Sequence, residues 1–461
     1  MPAAGGFIRS VYDRAPLWIR SSVRMVPFGW RIGGHYRKTL AFLQESDRWD
    51  AERLRAYQDG ALEALLTRAI RNVPYYARYR NLLGKPPRTM LASIEPIEKK
   101  DIQADPERFL DKTVPRSATY LTMTGGTSGY PLNIILDKAG FQIEWAFMIA
   151  QWMRVGFRPG MSKATFRGRV LASGRLWQDN PVYDERQFSP FKMNEENLAL
   201  YVKELQRYRP RFLYGYPSAL TLLARYVESH PGAKLPHVKA LLCGSENVRD
   251  GQREYLERVF DTRFYSWYGM SEKDILAGEC ERSTLYHAFP QYGITEIRDD
   301  AGNVASREGS EGELMGTGFM NTAMPFIRYR LGDYSRIAGD ACTACGRPWT
   351  LLAPVRGRWV QEMILGRSGA EISLTALNMH GEVFAGVLRF QFRQVERGHA
   401  TLTIVASSQF AKADGERIRR ALIEKTGDEV QWQVELADSL ELTDRGKGVF
   451  LVRRIPGVDA P

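Results

Sequence analysis

Long apolar runs are absent from this chain. None reaches the roughly 18 to 20 residues that a membrane-crossing helix needs, so no transmembrane segment is expected. Cysteine is scarce: Cys243, Cys280, Cys342 and Cys345 are the only four in 461 residues, too few for a disulfide scaffold. Near the N-terminus Arg9, Arg14, Arg20 and Arg24 interrupt the short apolar pieces, which removes the continuous apolar centre of a signal peptide. These features predict a cytoplasmic, reducing compartment. Low-complexity tracts, internal repeats, zinc-finger repeats and the aromatic signature of RNA-binding modules are also missing. Nucleic acid is therefore not an expected partner.

What is present reads as an ordinary globular composition, 44% hydrophobic and 25% charged. At 461 residues the chain exceeds the usual single domain, so two or more are expected. A net charge of +11 suits anionic partners such as nucleotides, coenzyme A or an acidic carrier protein. That charge is spread along the chain, as a well-solvated surface also requires, so it selects none of them. A homodimer, the commonest oligomer of soluble proteins, is compatible with all of this.

Up to about residue 115 the pattern is helical. Between Asp50 and Val73 the residues Leu54, Tyr57, Leu62, Leu65, Leu66 and Ile70 recur near helical spacing, and Pro74 closes the run. From about residue 117 short apolar runs alternate with amphipathic ones. VKALLCGS (238–245) predicts a buried strand, GQREYLERVF (251–260) a helix and TRFYSWYGMS (262–271) a second strand. Strand, helix, strand in so short a span is the unit of a parallel sheet. A Gly- and Arg-rich passage follows around Arg356 to Gly369. Beyond it HATLTIVAS (399–407), ERIRRALIEKTG (416–427) and EVQWQVEL (429–436) read again as strand, helix, strand. The predicted fold class is α/β: a large N-terminal domain with mainly parallel sheets flanked by helices, plus a small α+β C-terminal domain.

TGGTSGYP (124–131) trades side chains for three glycines and three hydroxyls. Closely spaced glycines let successive amides converge on an anion, and Thr and Ser add donors. The Gly-Lys-Ser/Thr ending of a Walker A loop is missing, as is the dinucleotide spacing of glycines. On these residues alone an ordinary turn and a phosphate-holding loop both stay open.

Further motifs follow in order: LYGYPSAL (213–220), GSE (244–246), YGMSE (268–272), YRLGD (329–333), GRWVQEMI (357–364), ISLTALNMH (372–380) and DRGKG (444–448). With TGGTSGYP they make nearly the whole chain resemble the adenylate-forming superfamily of acyl-CoA ligases and adenylation domains. Within it the chain is most similar to the phenylacetate–CoA ligase and CapK-type branch. The resemblance implies that ATP and a small-molecule carboxylic acid give an acyl adenylate and pyrophosphate, and that a thiol, coenzyme A most simply, then takes the acyl group.

The site implied by the resemblance is specific. Thr124, Gly125, Gly126, Thr127, Ser128 and Gly129 wrap the ATP phosphates. Gly244, Ser245 and Glu246 lie along adenine, Tyr268 stacks on it with Gly269 and Ser271 in the same segment, and Asp333 holds the ribose hydroxyls. Arg358 contacts ribose or phosphate. Glu272 holds Mg²⁺, an ion that requires oxygen ligands. Lys447 enters from the C-terminal domain to bridge the carboxylate and the α-phosphate. The implied domains are 1–357, a hinge at 358–362 with Gln361 as pivot, and a mobile 363–461 carrying the lysine. Tyr130 stands where lysine often follows the last glycine, and Gln361 where aspartate is frequent. Read without the resemblance, Lys447 is a solvated charge, Tyr268 a core aromatic and Asp333 a turn residue.

Cys342 and Cys345 form C-x-x-C, a metal-ligand spacing, and Cys280 with His287 supplies a second pair. Together they would make a Cys₃His site suited to tetrahedral zinc, and the resembling branch implies a comparable structural ion. The alternative is a set of unconnected core residues. Cys243, in an apolar run, reads as packing. FSPFKM (188–193) and Trp267 suit either an aryl or fatty acid pocket or the core. Two rival functions remain open. One is an adenylating enzyme that passes its acyl group to a carrier protein, an amine or a sugar; the other is a non-catalytic nucleotide-binding protein on a ligase scaffold.

Overall fold

The computed structural model describes residues 22–123, 132–168, 171, 175–355, 363–377, 382–384, 386–407, 410–441 and 450–456. The N-terminal part is helical as expected. Asp50 accepts a hydrogen bond from the Arg53 amide at 2.8 Å and so caps the helix Ala51–Asn72, which buries Leu54, Leu62, Leu65, Leu66, Ala69 and Ile70. Pro74 stops it, since the residue before a proline is pushed out of the helical region; Val73 takes φ −103° and ψ 119°.

At the centre lies a sheet of thirteen strands. Five neighbours run parallel: Glu185–Phe188, Lys163–Phe166, Phe212–Gly215, Ala240–Gly244 and Arg263–Gly269. Ala240–Gly244 is buried throughout, because both faces are covered. Leu241 and Cys243 pack with the helices Glu195–Tyr208, Pro217–Ser229 and Gln252–Phe260. Ala240 and Leu242 join the other layer, with Phe147 and Trp152 of helix Lys138–Trp152 and Tyr36 and Leu43 of helix Gly34–Ser46. The strand, helix and strand expected over 238–271 are all present, and Cys243 is a packing residue.

The parallel run is less than half of the sheet. Beyond Arg263–Gly269 the strands Leu276–Gly278, Tyr286–Ala288, Leu351–Leu352, Tyr329–Gly339, Glu311–Gly318, Gly293–Arg298 and Val304–Ala305 pair antiparallel, as does Trp177–Asn180 at the far edge. Several of the connections are too short for the crossover that a parallel pair demands. Between Arg298 and Val304, for example, Asp299 Oδ1 accepts from the Asn303 amide and Gly302 takes φ +89°.

A separate hairpin, Thr119–Met123 with Asn133–Asp137, places Met123 opposite Asn133. It thereby fixes both ends of the glycine-rich segment, whose residues 124–131 lie outside the described ones. The C-terminal part is a four-stranded sheet, Gln431–Leu436, His399–Ala406, Val387–Glu396 and Leu451–Arg453. Helix Lys412–Thr426 links the parallel pair 399–406 and 431–436, the strand, helix, strand read from the sequence. Phe390, Phe392, Leu402, Ile404, Ile418, Leu422 and Trp432 form its core. Through Ile372, Leu374, Ala376 and Leu377 that core continues into the layer on the large sheet. No helix among the described residues is long and apolar enough to cross a membrane.

Candidate active site and metal centre

Ligands of open α/β sheets settle at the carboxyl ends of parallel strands, and the motif residues cluster there. Gly244 ends its strand beneath the Trp267 ring; a Cβ at this position would stand 2.6 Å from a ring carbon, so only glycine fits. Ser245 follows at φ +67°, a backbone state that costs a side-chain-bearing residue energy and is common at functional sites. It is exposed and accepts a hydrogen bond from Arg167 Nη2 at 2.7 Å. Glu246 turns back to the first turn of helix Pro217–Ser229, where its carboxylate accepts from the Ser218 amide and hydroxyl, both at 3.0 Å. That is where a negative charge is best placed on a helix.

Tyr268 lies on the next parallel strand, and its hydroxyl donates to Asp333 Oδ2 at 2.8 Å. A break in pairing brings them together. Glu313 pairs with Tyr334 but Met315 with Arg330, so Leu331, Gly332 and Asp333 bulge out opposite Leu314. Gly332 makes the turn at φ +72°, and its amide donates to Glu313 Oε1 at 2.9 Å. Arg330 braces the bulge with ion pairs to Glu313 and Glu98. Burial, with Asp333 beside it, pushes the Tyr268 hydroxyl well above its usual range, so it remains a donor.

Glu272 is half-buried just past Gly269 and Ser271. Burial raises its carboxyl, while Lys99 and Lys273 pull the other way. Lys273, at φ +67°, pairs with Glu144 at 3.1 Å. Next to it Asp274 is almost wholly enclosed and its Oδ2 has no hydrogen-bond partner among the described residues. Burial first, then Glu272, pushes its carboxyl far up. Gly316 and Gly318 make room for this residue: a Cβ there would stand 2.5 Å from Asp274 Cβ or 2.3 Å from the Lys273 carbonyl.

Cys280, His287, Cys342 and Cys345 converge, with their ligand atoms all within 4.8 Å of one another. Burial raises the Cys280 thiol, while its Sγ accepts hydrogen bonds from the amides of Arg282 and Ser283 at 3.4 and 3.2 Å, contacts that pull the other way. His287 Nδ1 lies 2.9 Å from the Leu285 carbonyl, which assigns the proton to that nitrogen and leaves Nε2 as a lone-pair donor. Nε2 stands 3.4 Å from Cys345 Sγ. A tetrahedral zinc bound about 2.3 Å from sulfur and about 2.0 Å from nitrogen would set them about 3.5 Å apart, so the donor set and this spacing fit that ion. Burial drives the imidazole down to about 4, so it is neutral at pH 7. Between the two half-sites Arg347 holds Glu281 at 2.7 and 2.8 Å and Asp47 at 2.8 Å through both carboxylate oxygens.

The structure thus brings together Tyr268 with Asp333, Ser245 with the strand-end cleft, and the four metal-ligating candidates with one another. Thr124, Gly125, Gly126, Thr127, Ser128, Gly129, Arg358, Gln361 and Lys447 lie outside the described residues. Phe188 and Phe191, held open as pocket aromatics, are core residues 1% exposed, and Trp267 packs between Trp152 and Tyr214. Two residues were missed from sequence. Asp274 gives no signal beyond its position after YGMSEK; Arg167 closes a strand and looks like any solvated charge.

No family model matches the chain. Protein CapK of Staphylococcus aureus is 21% identical over 458 residues, spanning 96% of this chain and 99% of CapK. A phenylacetate–coenzyme A ligase of Thermus thermophilus is 24% identical over 335 residues, 71% of this chain and 75% of that ligase. Among solved structures, a 2-hydroxyisobutyryl-CoA ligase in complex with 2-HIB-AMP and CoA, in its thioesterification state, superposes with a TM-score of 0.56 at 19% identity. That match covers 88% of this chain and 91% of the ligase, and shows a shared fold.

Proposed function

Since the chain belongs to the adenylate-forming superfamily, in the branch of CapK and the phenylacetate–coenzyme A ligases, we propose that it is an AMP-forming acid–thiol ligase. The carboxylate of a small acid attacks the α-phosphorus of ATP and expels pyrophosphate. The thiol of coenzyme A then attacks the acyl carbonyl, loses its proton and expels AMP. The observation that carries this reading is the Tyr268–Asp333 hydrogen bond at the mouth of the parallel strands, with the Glu272 carboxylate close by in sequence.

In this reading Tyr268 presents its ring to adenine, and its hydroxyl fixes Asp333 so that the carboxylate meets the ribose hydroxyls already oriented. Pre-set geometry of this kind lowers the ordering cost of binding. Gly244, Ser245 and Glu246 flank the adenine, with Glu246 held to Ser218. Gly269 and Ser271 carry the chain from Tyr268 to Glu272. Glu272 is the ligand for Mg²⁺, an ion that would neutralise phosphate charge; its carboxyl must lose the proton that burial favours. The glycines and hydroxyls of 124–129 hold the phosphates, Lys447 and Arg358 serve from the C-terminal side, and Gln361 is the pivot between domains 1–357 and 363–461. Cys280, His287, Cys342 and Cys345 would hold zinc as a structural ion, the four side chains of the antiparallel half taking all positions of a tetrahedral site.

The test is AMP release from ATP and Mg²⁺ across aryl, fatty, amino and hydroxy acids, with and without coenzyme A, beside Lys447→Ala. Release that depends on one acid class and on Lys447 is expected, and a further dependence on coenzyme A identifies the acceptor. ATP binding with no release for any acid or acceptor would overturn the proposal in favour of a nucleotide-binding scaffold.

A further inference from the structure

Phe188, Phe191 and Trp267 are committed to the core, and a cation stands at the strand ends. Arg167 directly follows strand Lys163–Phe166, in line with the ends of Phe212–Gly215 and Ala240–Gly244. Its guanidinium carbon sits 5.0 Å from the centre of the Tyr214 ring and 4.8 Å from that of Tyr216. Nη2 donates to Ser245, and the neighbouring Gly168 amide donates to the Tyr216 hydroxyl at 3.3 Å. Two aromatic faces and a hydroxyl thus hold the plane of this cation in the cleft.

No carboxylate among the described residues forms an ion pair with Arg167. The Glu246 charge favours the cation without an ion pair between them, and Glu246 itself accepts from the Ser218 amide and hydroxyl. Ser245 and the Tyr216 hydroxyl take part of a donor set of five N–H groups. Arg167 is half-buried, and a guanidinium partly withdrawn from water gains from a partner that supplies negative charge. Its planar fork matches a carboxylate, phosphate or sulfate better than any neutral group.

We infer that Arg167 is a specificity-determining residue of the acid pocket, and that the substrate acid carries a second anionic group remote from the carboxylate that is activated. This rests on the ligase reading and narrows it: aryl and fatty monocarboxylates are poor substrates, and chains ending in a second acid are good ones. The coenzyme also carries phosphates, so the test separates the two sources of negative charge.

Calorimetry with non-reactive acyl-adenylate mimics, acyl sulfamates of adenosine, makes that separation. Acyl chains of matched length end either in a methyl or in a carboxylate, and each mimic is titrated into wild type, Arg167→Lys and Arg167→Met; coenzyme A is titrated separately. The expected result is a carboxylate-ended mimic binding wild type roughly 10- to 100-fold tighter than its methyl twin, the range for a hydrogen bond to a charged group. Arg167→Lys keeps part of that preference and Arg167→Met abolishes it, with coenzyme A binding unchanged. Equal binding of the twins by wild type at every chain length overturns the inference while the ligase reading stands. So does a loss confined to coenzyme A in Arg167→Met, which would assign the guanidinium to a coenzyme phosphate. Binding of neither mimic overturns the ligase reading, and this inference with it. The wild-type comparison needs no variant to fold.

Discussion

Removing the metal from the Cys280–His287–Cys342–Cys345 cluster should lower the melting temperature by an amount set by free zinc. For one site that forms only in the folded chain, each tenfold rise in free zinc above the dissociation constant adds about 1.4 kcal/mol of stability. At ~2.1 cal/mol/K of unfolding entropy per residue, a chain of 461 residues unfolds with about 1 kcal/mol/K. The melting temperature should then climb ~1.4 °C per decade of zinc, or about 2 °C if only the part carrying the cluster, up to residue 355, melts as a unit. The assay is a scanning-calorimetry series in zinc–chelator buffers, repeated on Cys345→Ser and His287→Gln. Both variants should sit at the chelated wild-type temperature with no slope, and the wild type should bind one zinc per chain. A flat wild-type response, or an undiminished slope in both variants, would refute the reasoning: the four side chains would then be neighbours in the core and nothing more.

Other expectations are simpler to state. Tyr268→Phe removes the hydroxyl that orients Asp333, and ATP should bind roughly tenfold more weakly by calorimetry; unchanged affinity would detach the pair from nucleotide binding. Gly244→Ala drives a methyl into the Trp267 ring and should cost about 1 to 3 kcal/mol in urea unfolding; a change under ~0.5 kcal/mol would mean the ring gives way freely. Asp274→Asn tests a carboxyl whose proton burial favours. The unfolded chain ionises it near 3.9, so the stability it contributes is whole below that pH and drains as pH rises toward its raised folded value. The asparagine variant should therefore gain on wild type in thermal melts as pH increases from about 4; a constant or shrinking gap would contradict the assignment.

Two of the five parallel strands were legible because Ala240–Gly244 and Arg263–Gly269 lie in apolar runs ending at glycine and separated by an amphipathic helix. Lys163–Phe166 and Glu185–Phe188, by contrast, carry Lys, Thr, Glu, Arg and Gln and show no such run. The antiparallel half was not legible either. Leu276–Gly278, Tyr286–Ala288 and Leu351–Leu352 are two or three residues long, too short to display a period of two. YGMSE and YRLGD marked Tyr268 and Asp333, but their contact spans 65 positions and depends on a bulge at Gly332 that no local pattern announces. Likewise C-x-x-C marked one half of the metal cluster, while its closure with Cys280 and His287 follows from strand pairing of His287 with Leu351. Arg167 escaped because an arginine after a strand has the same sequence signature whether it meets water or a ligand.

The Arg347 clamp has a consequence in time. Asp47 and Arg347 are 300 positions apart, and a ribosome adding about 5 to 20 residues per second needs roughly 15 to 60 seconds to cover that distance. During that interval the N-terminal helices exist without the loop that their last turn will grip, and Ser46 awaits Gln291 in the same way. Slow passage through the first three hundred codons would lengthen the exposure of their apolar faces. The yield of folded protein should therefore respond to translation speed and chaperone supply.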